Sequence, residues 1–370
     1  MLPVALFSTN FLEYSQTFVH EEITHHERYE ADVFCRKRHL ADRFPFPRVY
    51  VGGALYGATR ESLRFHRAFQ RRRYELVHAH FGTGACYAVP YARRYQLPFV
   101  VTFHGYDVPL LSSSERFQPK NWPYAMFAPG MLDTMTLGLC ASRELLELLL
   151  DVGVPRERLR LYHLGIDLAS FVRGPRHPVP RVVMVGRFIE KKGFEYGVRA
   201  FAAARERGAQ GQLIIIGSGE REARLRALVA ELRIADSVQF AGILSSSEVA
   251  GVLAESDVLM APSVVAIDGN RESGVIALKE GSASGLAVLG TYHGGIPEII
   301  DDGVTGYLVA ERDVDSLADR LHRVLTDRDL CERLGVAGRA KMEREYDLTR
   351  QVSALESFYD EARELTNLEK

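Results

Sequence analysis

Twice along the chain, short apolar runs alternate with helical stretches, and between the two series the alternation stops at a segment crowded with glycine and proline. In the first series the strands are Leu2–Ser8, Val33–Cys35, Leu76–His80, Phe99–Phe103, Leu137–Ala141 and Arg160–His163. Ser8-Thr9-Asn10 reads as the turn that closes the first of them. Thr17–Tyr29 reads as a helix, with Phe18, Glu22 and His26 four residues apart and His25-His26 on its exposed side. Arg60–Arg73 is a basic helix and Arg143–Leu150 an apolar one. The pattern breaks between Leu164 and Arg181, at Gly165, Gly174, Pro175, Pro178 and Pro180. It then restarts with strands at Val182–Gly186, Leu213–Ile216, Val238–Ala241, Val258–Ala261 and Ala287–Leu289, and from Asp315 to Leu368 the chain is helical. Strands separated by helices form parallel sheets covered on both faces. Two such series predict two Rossmann-like α/β domains facing each other, with ligands at the carboxyl ends of the strands. The expected boundaries are residues 1–165, a linker at 166–180, a second domain at 181–346, and a last helix at 347–370 that braces the first domain.

The net charge of −2 over 370 residues argues against a polyelectrolyte partner such as nucleic acid. Residues 1–165 are mildly basic, which leaves open a peripheral membrane contact through the N-terminal domain beside the plainer reading of solvated helices. Four cysteines without C-x-x-C spacing, three of them in apolar runs, read as buried free thiols in a reducing compartment. No apolar run reaches the roughly 20 residues of a membrane span. The expected location is cytoplasmic, with the inner face of the membrane as the surface for any peripheral contact.

Chemistry concentrates at Asn270–Glu280. A Ser-Gly step leads into an apolar helix whose first N–H groups lack partners and whose dipole favours an anion. Glu272 and Glu280 bracket that step, and a carboxylate two turns along a helix suits paired sugar hydroxyls. Upstream, Val185-Gly186-Arg187 and Lys192-Gly193 follow a strand and precede a helix. Arg187 and Lys192 there would neutralise a diphosphate. Gly217-Ser218-Gly219 lacks the third glycine of a dinucleotide fingerprint, and backbone geometry explains it as well as phosphate contact does. His293-Gly294-Gly295-Ile296-Pro297-Glu298 reads as a tight turn before a helix. His104 closes a first-domain strand and is placed to orient a sugar hydroxyl or share charge; the plainer alternative is a histidine satisfied by nearby backbone. His78 and His80 share a strand face, but no third ligand accompanies them in the sequence, so no metal is expected. There is no Gly-x-Ser-x-Gly elbow, P-loop or Asp-x-Asp pair.

In their order along the chain, Val185-Gly186-Arg187, Lys192-Gly193, Glu272 with Glu280, Gly285-Leu286-Ala287-Val288, Gly294–Glu298 and Asp302-Gly303 with Gly306 resemble the retaining glycosyltransferases of family 4, which have the GT-B fold. Ser15–Phe18, His78–Gly82 and Phe103–Asp107 are similar to the branch that builds exopolysaccharide, colanic-acid-type polymer or O-antigen. The resemblance implies a cleft between an acceptor domain and a donor domain, and a C-terminal helix crossing back. It implies a UDP- or GDP-sugar donor, a glycan, lipid-linked or small-molecule acceptor, and neither metal nor cofactor. By it, Arg187 and Lys192 hold the diphosphate, Glu280 the ribose, and backbone at Gly242-Ile243 the base. Glu272 and the N–H groups of Ser273, Gly274 and Val275 hold the donor sugar and distal phosphate, and His104 meets that sugar. Ser15, Gln16 and Thr17 stand in the loop that serves donor or acceptor.

Two departures stand out. The loop after the first strand has no glycine pair, and Ser273 replaces a bulky aromatic beside Glu272. A nucleotide-sugar epimerase on the same fold and a non-catalytic sugar-binding protein are the rival readings.

Overall fold

A computed structural model describes residues 1–12 and 17–368, with the side chain of Thr17 outside it. The chain divides into two units, Met1–Gly165 with Leu348–Lys370, and Ile166–Asp347.

The first unit is built on seven strands: β1 (Leu2–Phe11), β2 (Tyr29–Arg38), β3 (Val49–Val51), β4 (Leu76–His80), β5 (Phe99–Phe103), β6 (Leu137–Cys140) and β7 (Leu159–Leu161). All pair in parallel, in the order β3-β2-β1-β4-β5-β6-β7. Strand order reverses between β1 and β4, which is where a doubly wound sheet opens a crevice. Side chains alternate across the sheet. Ala5, Phe7, Phe34 and Val77 enter one buried cluster, while Leu6, Val33 and Cys35 enter another. Burial on both faces explains why these strands read as continuous apolar runs.

Two expectations change here. β1 continues through Ser8-Thr9-Asn10 to Phe11, because Asn10 and Phe11 still pair with Lys37 and Arg38 of β2. The helix expected over Thr17–Tyr29 stops at Thr24. Thr24 Oγ1 donates to the His20 carbonyl at 2.7 Å, and His25 Nδ1 donates to that of Glu21 at 2.7 Å, so side chains satisfy the last turn. Tyr29 already belongs to β2. His26 is therefore not on an exposed helix face; it is buried, its ring edge-on to Tyr359 at 5.8 Å.

The final helix, Leu348–Leu368, packs on this first unit. Glu356 Oε1 accepts the backbone N–H groups of Glu27, Arg28 and Tyr29 at 2.9, 2.9 and 3.1 Å. Three orphan donors at the mouth of β2 are thus met by one buried carboxylate. Arg363 donates to Glu75 at 2.9 Å, and Tyr359 reaches His78 Nδ1 at 2.7 Å.

The second unit repeats the design with β8 (Arg181–Val185), β9 (Gln212–Ile216), β10 (Val238–Gly242), β11 (Val258–Ala261), β12 (Ala287–Thr291) and β13 (Gly306–Val309). The order is β10-β9-β8-β11-β12-β13, again all parallel. The reversal lies between β8 and β11. Residues 166–180 cluster with this unit: Ile166 bridges to Asp347, and the Gly174 N–H donates to the Ala254 carbonyl at 2.9 Å. The helical tail is three helices, Val314–Thr326, Arg328–Glu345 and Leu348–Leu368. Asp313 and Asp327 cap the first two through the N–H groups of Ser316 and Leu330.

Candidate active site

The point of reversal in the second sheet is bridged by charge. After β8 the chain turns through Gly186-Arg187 into a short 3₁₀ turn, Glu190–Lys192, and ends at Gly193 with φ of 63°. A Cβ on Gly193 would stand 1.8 Å from the Pro262 carbonyl oxygen, so only glycine lets this loop lie against the end of β11. Gly217 plays the same part beside β9, where a Cβ would meet the Gly186 carbonyl oxygen at 1.9 Å. Close backbone packing accounts for Gly217 without a ligand.

Across that contact, Lys192 Nζ donates to Glu272 Oε2 at 2.8 Å, and Lys191 Nζ lies 3.1 Å from Glu272 Oε1. Lys191 also donates to the Arg271 carbonyl at 2.9 Å, and its own carbonyl accepts the Val264 N–H. Glu272 is 6% exposed. Burial alone would raise its pKa, but Lys192 and then Lys191 outweigh it and hold the carboxyl down at about 2. Burial in turn pulls Lys191 below the ordinary lysine value, with Glu272 opposing. The ionised clasp is what the geometry supports, since both lysines aim at separate oxygens of one carboxylate. Arg187 is exposed beside it and forms no ion pair among the described residues.

The loop carrying Glu272 is itself pinned. Its N–H donates to His293 Nε2 at 3.0 Å, and His293 Nδ1 lies 2.7 Å from Glu311 Oε1. An Nδ1–H given to the carboxylate leaves Nε2 free to accept, which matches the backbone donor. Glu311 also accepts the Val265 N–H at 2.9 Å, and these contacts hold its carboxyl below the usual range against burial.

The helix after this loop is Ile276–Ala283. It begins just past the Ser-Gly step. Ser273 and Gly274 form a bend and Val275 is the N-cap, so the helix's first turn belongs to Ile276 and Ala277 rather than to Ser273–Val275. Glu280 lies half-buried further along this helix, Gly242 ends the edge strand β10, and Ile243 follows it exposed. The structure thus joins Lys192 to Glu272 directly, sets Arg187 beside them, places Glu280 on the helix that follows the Glu272 loop, and leaves Gly242-Ile243 two strands away from β8 at the sheet edge.

In the first unit, His104 follows β5. Asp107 fixes the turn: its carboxylate accepts the Gly82 N–H at 2.7 Å and the Gly105 N–H at 3.0 Å, although burial raises its pKa. The loops after β4 and β5 are therefore held to one another. Phe81 has φ of 63° and ψ of 142°, a conformation costly for a side chain, and its ring lies 4.4 Å from that of His104. His104 Nε2 lies 3.0 Å from His80 Nδ1. Glu22, which the sequence spacing does not connect to the histidines, joins His78 and His80 in a group whose donor atoms lie within 4.8 Å. Within that group His78 meets Thr102 at 2.8 Å and Tyr359 at 2.7 Å, and Glu22 Oε2 accepts from Tyr162 at 2.9 Å, while Glu22 Oε1 and His80 Nε2 have no hydrogen-bond partner among the described residues. Ser15, Gln16 and the Thr17 side chain lie outside the described residues.

Lys191, His293 and Glu311 are contacts of Glu272 and its loop that were not expected. Lys191 adjoins the motif lysine, and His293 heads the Gly-Gly-Ile-Pro-Glu run, so both had a signal. Glu311 had none, because nothing in its spacing ties it to residue 293.

Residues 167–341 match the family described as Glycosyl transferases group 1, and residues 20–170 match Glycosyltransferase Family 4. The chain belongs to the family 4 glycosyltransferases. WcaL of Escherichia coli (strain K12), whose name assigns it to colanic acid biosynthesis, is 33% identical over 254 residues, 68% of this chain and 60% of WcaL. The amylovoran biosynthesis glycosyltransferase AmsK of Erwinia amylovora is 32% identical over 251 residues, 67% of this chain and 60% of AmsK. This family 4 chain therefore spans less than two thirds of the length of those relatives. Its fold matches sucrose-phosphate synthase from Thermosynechococcus elongatus (TM-score 0.78, 22% identity, 98% of this chain and 99% of that one). It also matches Anabaena HepE, solved with UDP and glucose (TM-score 0.79, 16% identity, 98% and 100%). Both are GT-B folds, and this family 4 chain shares that fold, with two parallel-sheet α/β units. Among the described residues, no helix is long and apolar enough to cross a membrane.

Proposed function

We propose that the chain is a retaining glycosyltransferase that moves a sugar from a UDP- or GDP-sugar to a glycan, lipid-linked or small-molecule acceptor in surface-polysaccharide synthesis. The observation that carries this is the Lys191–Glu272–Lys192 clasp at the strand-order reversal of a family 4 domain. On this reading an incoming diphosphate takes a share of Lys192 and meets Arg187 and the N-terminus of the helix Ile276–Ala283. These cations carry the charge of the departing diphosphate without a metal ion. Ser273, Gly274 and Val275 line the approach with backbone N–H groups. Glu280 takes the ribose hydroxyls, and Gly242-Ile243 the base. With both oxygens engaged by lysines, Glu272 orients the sugar and is a poor nucleophile, so attack on the same face as departure fits better than a covalent intermediate. His104 meets the donor sugar, and Ser15–Thr17 serves donor or acceptor. Work at the cytoplasmic face, with peripheral contact through the first domain, completes the proposal.

The names of WcaL and AmsK support a polysaccharide product, and the UDP and glucose bound to HepE support a nucleotide-sugar donor. The test is a thermal-shift screen over UDP-, GDP-, ADP- and TDP-sugars, followed by incubation of the stabilising donor alone and with lipid-linked saccharides. A specific donor raises Tm by mass action. Slow hydrolysis alone and transfer with acceptor are expected. A new isomer of the sugar nucleotide would make the chain an epimerase, and stabilisation without turnover would make it a binding protein.

A further inference from the structure

Beneath His104 lies a file of buried polar groups that the proposed reaction does not itself require. Glu22, on the helix Thr17–Thr24, is 2% exposed, and His80, the last residue of β4, is fully buried. Glu22 Oε2 accepts the Tyr162 hydroxyl at 2.9 Å, which leaves Oε1 facing His80 Nε2 at 3.2 Å. Neither of these two atoms has a hydrogen-bond partner among the described residues, so each is the counterpart available to the other. On the far side of the ring, His80 Nδ1 lies 3.0 Å from His104 Nε2. The remaining nitrogen, His104 Nδ1, is buried and has no partner among the described residues.

We infer that Glu22 and His80 are positioning residues that set the tautomer of His104, so that its Nδ1 presents a lone pair to a hydroxyl group of the ligand. The inference rests on the reading that His104 meets the donor sugar. The steps follow from donor and acceptor arithmetic. A carboxylate at His80 Nε2 favours the proton on that nitrogen, because a lone pair facing an anion is repelled. With its proton on Nε2, His80 offers Nδ1 as an acceptor. The proton between the two rings must sit on His104 Nε2, and Nδ1 of His104 is left bare. Burial holds His104 well below the usual histidine range, which keeps it neutral and its lone pair available. His78 does not compete for these protons, since Thr102 and Tyr359 occupy its two nitrogens. Neighbouring rings restrict His104 further: Phe18 at 5.0 Å and Phe81 at 4.4 Å flank it, and His80 stacks on it at 5.2 Å.

The consequence is selectivity by chemistry. An acceptor nitrogen welcomes a ligand that carries a hydroxyl at the matching position. It discriminates against one with a deoxy carbon or a methyl ether there, which leaves the nitrogen buried and unpaired.

The decisive measurement is the nitrogen chemical-shift pattern of ring-labelled histidine in the full chain, which holds 12 histidines. His104 is assigned by the signal lost in His104→Gln. The wild type is expected to show the Nε2–H tautomer at His104, and Glu22→Leu to show a mixture or the Nδ1–H form. An Nδ1–H tautomer in the wild type overturns the inference outright, as does an unchanged tautomer in a folded Glu22→Leu. If Glu22→Leu does not fold, His80→Asn serves, because its amide oxygen can stand where Nδ1 accepted and should retain the Nε2–H form. Loss of that form in a folded His80→Asn also overturns the inference. In kinetics, Glu22→Leu is expected to lower kcat/KM for the donor about tenfold, while leaving the thermal shift by the nucleoside diphosphate alone unchanged. The tautomer measurement needs no substrate, so it can fail while the transferase reading stands. Absent transfer activity with the expected tautomer would sink the reading and spare the relay.

Discussion

The two units answer the same architectural question with opposite chemistry. Where strand order reverses in the second sheet, full charges meet in a short-range clasp of Lys191, Lys192 and Glu272. At the carboxyl ends of β4 and β5 in the first, two imidazoles share a hydrogen bond in a buried line, with one carboxylate 3.2 Å beyond the inner ring. A clasp of opposite charges can be redistributed when an anion arrives, because a lysine can serve two acceptors. A chain of single protons has direction instead, and it suits a neutral hydroxyl. The same doubly wound fold therefore offers a charged handle in one half and a directional one in the other.

The largest break in this comparison is expected from Lys192→Ala. It removes the shared cation and leaves Glu272 with Lys191 alone. Transfer should fall about a hundredfold, with weaker nucleoside-diphosphate binding by titration calorimetry; near-wild-type values in both would remove Lys192 from the donor site. Glu280→Ala is expected to cost about tenfold. It should also erase any preference for ribose over 2′-deoxyribose donors, and a variant that still discriminates between them would take the ribose away from Glu280. Smaller again is the effect of Glu356→Ala, which orphans three backbone N–H groups and should lower stability by about 2 kcal/mol, read in denaturant unfolding with no change in donor binding.

The last test uses pH to separate the two kinds of site. The Glu272 carboxyl is held at about 2 in the folded chain, below its ordinary 4.5. A depressed acid contributes stability that is complete above the unfolded value and is lost as pH falls through the folded one. The stability advantage of the wild type over Glu272→Gln should therefore be constant above about pH 4.5 and shrink between 4.5 and 2. A gap that does not change across that window would mean the clasp is not ionised.

Much of the fold was legible because buried parallel strands announce themselves. Ile214, Ile215 and Ile216 are apolar on both faces of their sheet, and so are Val182, Val183 and Met184. The misread ends have local causes. Ser8-Thr9-Asn10 has turn composition, yet partner β2 keeps it extended, and pairing is not visible in one strand's residues. His26 looked like the next step of a helical stripe, but side-chain caps at Thr24 and His25 end that helix, and the residue turns inward. At the candidate site, Lys192 and Glu272 stood out by their neighbours in sequence. Glu22 and His80 are 58 positions apart and Glu311 and His293 are 18 apart, and no periodicity links either pair. Contacts of that kind are created by strand order, which the sequence does not spell out residue by residue.

The carboxylate of Glu356 has a consequence in time as well as in space. It belongs to a helix of residues 348–368, yet the N–H groups it satisfies open the second strand of the chain. On the ribosome the first sheet emerges long before its last brace, and the intervening unit is complete before that brace arrives. Until then those donors and the face around Tyr29 and His78 stay uncovered. The first unit is thus finished last, and truncating the final helix should leave a nascent first domain open to proteases while the second, enclosed between residues 166 and 347, is already protected.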